Sequence, residues 1–96
     1  MKTKDEVKAI LEKHKDEIRK KYGVIIIGIF GSWARDEQKE TSDVDILVEI
    51  ERPIGLAFFE LWDELEELLG CKVDLVRRSL LREEIKEDVL KEVVEI

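Results

Sequence analysis

Ninety-six residues with 24 Asp and Glu against 17 Lys and Arg, one Cys and one His leave a short menu of chemistries. A single core commonly takes roughly 100 to 150 residues, so 1–96 reads as one compact domain, and anything beyond one small site calls for a partner. The lone Cys forbids an internal disulfide, the lone His removes zinc fingers and His-based triads, and a net charge of −7 argues against general nucleic-acid binding along a phosphate backbone.

No apolar run nears the roughly 20 residues of a membrane span, and the start lacks a signal peptide's apolar stretch, so no membrane association and a cytoplasmic location are expected. Asn is absent, Gln occurs once and 43% of the residues are charged, a composition that resembles that of thermophile proteins.

Thr3-x-x-Glu6 has the form of a capping box, and Val7, Ile10, Leu11, Ile18 and Tyr22 follow at helical spacing, with Gly23 placed to end the helix. Eight basic and five acidic residues between Met1 and Tyr22 read as a solvated face. Val24 to Phe30 is a β-branched apolar run predicted to be a strand covered on both faces, stopped by Gly31. Trp33-Ala34-Arg35 could open a short helix or loop, and Val44 to Val48 is a second strand. From Leu56 to Leu69 the positions Phe58, Leu61, Trp62, Leu65, Leu68 and Leu69 mark a second long helix, stopped by Gly70. Lys72 to Val76 is a third strand. A last helix is expected from Ser79 or Leu80 to Val93, with Leu81, Ile85, Val89 and Val93 on one face. The order α-β-α-β-α-β-α predicts an α/β (α+β) domain, a small sheet covered by helices.

Asp43 and Asp45 flank Val44 at the start of an apolar strand. Residues i and i+2 of a strand share a face, which sets these carboxylates roughly 7 Å apart at Cα. A divalent cation removes their mutual repulsion, and Mg²⁺ is commonly held by one or two carboxylates with substrate phosphates and water. Asp74 interrupts Val73-Asp74-Leu75-Val76 and is the leading third carboxylate, since an acid in an apolar run is costly unless paired, hydrogen-bonded or metal-bound. The competing readings are a solvent-facing Asp74 on an edge strand, and Glu49 as the third acid. Gly31-Ser32, directly after the first strand, forms a turn whose N–H groups suit a phosphate.

Gly31-Ser32-Trp33-Ala34-Arg35, a short polar loop, then Ser42-Asp43-Val44-Asp45-Ile46-Leu47-Val48 resembles the signature of the minimal nucleotidyltransferase (MNT) family of the DNA polymerase β-like superfamily. The resemblance spans nearly the whole chain. It implies a polymerase β-like core with a small mixed sheet and flanking helices, and ATP as nucleoside triphosphate substrate held at Gly31 and Ser32, with Ser42 and Arg35 as further phosphate contacts. It also implies Asp43, Asp45 and Asp74 as catalytic and metal-binding residues for two Mg²⁺ ions, with Mn²⁺ as a substitute. Arg35 has an alternative and favoured role as structural partner of a nearby acid. Where the family usually carries Gly after Ala-Arg, this chain has Asp36, which tolerates a left-handed backbone but would weaken nucleotide binding if its charge pointed inward.

The resemblance further implies an antitoxin that neutralises a HEPN-domain toxin, either by adenylylating it, on a tyrosine, or as an inactive fold that binds it, with homo- or hetero-oligomers open. The plain alternative is a small acidic domain without a site. His14, Cys71, Trp33, Phe58, Phe59 and Trp62 read as packing or boundary residues and Lys39 as solvated charge. Arg77 and Arg78, directly after the third strand, are more interesting as phosphate contacts.

Overall fold

Thr3 caps the first helix: its Oγ1 accepts the Glu6 N–H at 3.1 Å. The Glu6 carboxylate takes the Thr3 hydroxyl at 3.3 Å, so the capping box closes through side chains on its return leg. The computed structural model describes residues 2–96. In chain order it contains α1 (Lys4–Tyr22), β1 (Val24–Phe30), β2 (Val44–Ile50), α2 (Ala57–Leu69), β3 (Val73–Arg77), a 3₁₀ turn at Arg78–Leu80, α3 (Glu83–Glu92) and β4 (Val94–Glu95).

The four strands form one mixed sheet in the order β3-β2-β1-β4. β1 runs antiparallel to β2 and to β4, while β2 and β3 are parallel, with α2 as the crossover that a parallel pair requires. Val24, Ile26 and Ile29 of β1, Val44, Ile46 and Val48 of β2 and Val73 and Leu75 of β3 are buried in one cluster with apolar residues of α1 and α2. Apart from Ile29, which follows a slip in the register of β1, those alternating strand positions and the i, i+4 spacing of Val7 with Leu11 and of Leu61 with Leu65 and Leu69 are what the two periodicities dictate. Among the described residues, no helix is long and apolar enough to cross a membrane.

The opposite face is thinner than expected for β1. Ile25, Ile27 and Phe30 are half-buried, so the run is fully covered on one side only. Leu47 and Val89 are buried there, outside the main cluster.

The last helix is also shorter than its apolar spacing suggests. Leu81 and Arg82 are extended, α3 starts at Glu83, and Ile85 is 48% exposed while Val89 is buried. Val93 leaves the helix at φ −60°, ψ 132°, and the β-branched Val93-Val94 pair leads into β4, which had no counterpart in the predicted order. Its pairing with Gly28 and Ile29, together with the Ile96 N–H donating to the Ile27 carbonyl at 3.1 Å, covers an otherwise open edge of β1.

Gly28 makes that possible. The register between β1 and β2 slips at Ile27, and a Cβ on Gly28 would overlap the Val94 carbonyl oxygen and approach Val93 Cγ2 at 2.9 Å. Gly28→Ala is expected to push β4 away and lower stability by about 1–3 kcal/mol in urea denaturation. An unchanged midpoint would mean that the C-terminal strand yields freely.

Candidate active site

Strand direction gathers the chemistry at one edge of the sheet. β1 ends at Phe30, next to Gly31, whereas β2 and β3 begin at that same edge with Val44-Asp45 and Val73-Asp74. The register sets Phe30 opposite Asp45 and Asp45 opposite Asp74, so the glycine turn and two acids follow one row across three strands. Asp43 lies one residue ahead of β2 and is exposed, as is Asp74, while Asp45 is half-buried. Asp43 is therefore at the strand's entrance and not within it.

Asp45 is electrostatically strained. Its carboxyl is pushed up to about 6, first by burial, then by the charges of Asp74 and Asp43 and, more weakly, of Glu92, with Arg35 pulling the other way. An acid that is half-buried against like charges fits a site meant to receive a cation. The donor set, all carboxylate oxygen, suits a hard ion such as Mg²⁺. Among the described residues, no three His, Cys, Asp or Glu side chains are already drawn around one point. The aspartates are neighbours and not a finished cage.

Gly31 has φ 74°, a conformation that favours glycine, and a Cβ at this position would overlap Asp45 Oδ2. Asp45 and the turn are thus in direct contact. From Gly31 the chain winds one turn, with the Arg35 N–H donating to the Gly31 carbonyl at 3.2 Å and the Glu37 N–H to the Ser32 carbonyl at 2.9 Å. The short helix considered for Trp33-Ala34-Arg35 is this single turn, since it stops at once on Asp36.

Asp36 takes φ 57°, and it is the one non-glycine residue with positive φ among those described. Its carboxylate points to α1 and pairs with Lys4 Nζ at 3.0 Å. The charge that replaces the usual glycine is neutralised outside the turn. Lys4 also donates to the Ala34 carbonyl at 3.4 Å, tying the start of α1 to the same loop.

Ser32 is half-buried at the turn, and Ser42 lies elsewhere in role: its Oγ accepts the Lys39 N–H at 2.9 Å and closes the loop before β2. Arg35 pairs with Glu37 at 3.1 Å and with both oxygens of Glu92 at 3.1 Å, in line with a structural role in the free chain. Glu49 is exposed and 3.9 Å from Arg78, on β2 well along from Asp45. Arg77 stacks over the Phe58 ring at 4.4 Å, which commits it to packing. Trp33 is buried and packs in the core, and among the described residues its Nε1–H has no hydrogen-bond partner. An open cavity of about 520 Å³ on the helical side of the turn is walled by Trp33, Ser42, Lys2 and Cys71 and contains none of the aspartates.

Glu92 is the residue that reading the chain missed. Its Oε1 accepts the Gly31 N–H at 2.6 Å, 61 residues away in sequence. No local pattern marks it, because it sits beside the apolar stripe of α3 like any surface acid.

The profile of the family described as "Nucleotidyltransferase domain" matches residues 11–96. A protein adenylyltransferase, MntA, of Thermococcus cleftensis is 53% identical over 95 residues, covering 98% of this chain and 96% of that protein. A Methanocaldococcus jannaschii protein named as a candidate protein adenylyltransferase is 58% identical over 80 residues, covering 82% and 93%. A solved structure described as a candidate minimal nucleotidyltransferase superposes with a TM-score of 0.83 at 32% identity, covering 99% of this chain and 97% of the other.

Proposed function

The chain belongs to the nucleotidyltransferase domain family, and from that premise we propose that it transfers the adenylyl group of ATP to a hydroxyl on a partner protein. The observation that carries this reading is the row that sets Asp45 and Asp74 beside the Gly31 turn on adjacent strands. The protein target and the adenylyl group are supported by relatives named as protein adenylyltransferases that align over nearly their full length.

In this reading the N–H groups of the Gly31-Ser32 turn bind the triphosphate, and Gly31 lets it approach the backbone closely. Asp43, Asp45 and Asp74 would hold Mg²⁺, as two ions, or Mn²⁺ in its stead, which when bound neutralises the triphosphate and activates the attacking oxygen. The acceptor oxygen attacks the α-phosphorus, the bond to the bridging oxygen breaks, and pyrophosphate leaves. Asp74, the exposed acid of the row, is the one an incoming hydroxyl reaches, and it takes the proton. Positioning and charge neutralisation carry the rate, as is general for phosphoryl transfer.

The acceptor, following the family resemblance, is a HEPN-type toxin, so that the chain acts as its antitoxin in the cytoplasm. Incubation with α-labelled ATP, Mg²⁺ and the HEPN protein should label that partner with the native chain and not with an Asp43→Asn/Asp45→Asn variant. Neutralisation of the partner by both proteins without label would sink the enzyme reading and leave binding alone.

A further inference from the structure

The Gly31 N–H, which the proposed function gives to a phosphate oxygen, is already engaged. Glu92, the last residue of α3, accepts it at 2.6 Å and receives Arg35 Nη1 on both carboxylate oxygens at 3.1 Å. The Glu92 side chain is only 29% exposed. Two oxygens of one anion therefore meet a turn amide and a guanidinium, the donor pair that an edge of a phosphate group seeks.

The placement is costly in charge. Glu92 adds to the negative field on Asp45, already crowded by Asp74 and Asp43. Against that repulsion the Glu92 carboxylate still faces the Gly31 N–H and the Arg35 guanidinium. One backbone N–H cannot serve a carboxylate and a phosphate together, and the two anions repel at that distance.

We propose that Glu92 is an internal stand-in for a nucleotide phosphate: it occupies the turn at Gly31 and Arg35 in the free chain and is displaced when the polyphosphate enters. The inference rests on the nucleotide-binding reading above and adds to it a built-in competitor. Glu92 directly precedes Val93 and β4, so its side chain can swing out by rotation while the pairing of β4 with Gly28 and Ile29 stays in place. After displacement Arg35 is released to the phosphate, which reconciles its structural pairing in the free chain with a role as ligand.

The test is calorimetric titration of the native chain, Glu92→Gln and Glu92→Ala with an ATP analogue carrying a methylene between the α- and β-phosphorus, and with inorganic tripolyphosphate, both in Mg²⁺. Losing a charge-assisted competitor should tighten binding of both probes by about tenfold in Glu92→Ala, with Glu92→Gln tightened less. Gln keeps an oxygen for the Gly31 N–H, so it supports the fold if Ala does not. In the native chain the Gly31 amide resonance should shift on adding tripolyphosphate. Equal or weaker binding by folded variants overturns the inference while leaving the nucleotide reading intact. Absence of binding by all three proteins overturns the nucleotide reading and the inference with it.

Discussion

Asp45→Asn should cut adenylyl transfer by roughly 10²–10³-fold while making the folded chain more stable at neutral pH. The loss follows from removing the half-buried acid that touches the Gly31 turn and stands in register with Asp74. The gain follows from its titration. The Asp45 carboxyl is raised from 3.8 to about 6 by burial and by Asp74 and Asp43. In the unfolded chain it loses its proton near pH 4, before the native state does. Between about pH 4 and 6 the native state therefore holds more protons, and stability falls as pH rises, with the full penalty present above pH 6. Allowing for screening by solvent at a half-exposed group, that penalty is on the order of 1 kcal/mol.

Urea midpoints of the two proteins should thus coincide below pH 4 and separate by pH 7, the variant being the more stable. Mg²⁺ should raise the native chain's midpoint at pH 7, because a cation offsets the repulsion among the acids, and leave the variant's nearly unchanged. A variant less stable than the native chain at pH 7 would mean that Asp45 has a favourable native partner, contrary to its raised titration.

Gly31→Ala is expected to have the second large effect, on both fold and function. The positive φ alone costs a side chain about 1–2 kcal/mol. The added Cβ also overlaps Asp45 Oδ2, so relief requires moving either the turn or the carboxylate. Transfer should fall by at least as much as in Asp45→Asn, and the melting temperature should drop as well. Retained activity in a Gly31→Ala chain would mean that the turn and Asp45 can separate without harm to the chemistry.

How much of this was legible in the residues varies by element. Thr3, Gly23 and the stripe on α1 mark that helix because capping and periodicity are local. Gly31-Ser32 and Asp43-x-Asp45 mark the site because each motif is contiguous. The spacing predicts the last helix to Val93 and it ends one residue earlier, at Glu92, but β4 after it has no local mark, since a β-branched pair becomes a strand only when a neighbouring edge is free to pair with it. Asp36 was legible as a residue able to take a left-handed turn, but the direction of its charge depended on Lys4, 32 positions earlier.

By itself, then, the sequence determined the kinds of all elements but β4, the acids and the glycine turn of the proposed site, and the exclusion of His- and Cys-based alternatives. Tertiary structure alone decided that Asp74 and not Glu49 stands beside Asp45, that Asp36 turns toward α1, and that Glu92 closes on the Gly31 turn. The reason is physical: spacing fixes which residues share a face of one element, whereas strand register and helix docking fix which faces meet. The Glu92 contacts span 57 and 61 residues, and nothing within a few positions of either partner records them.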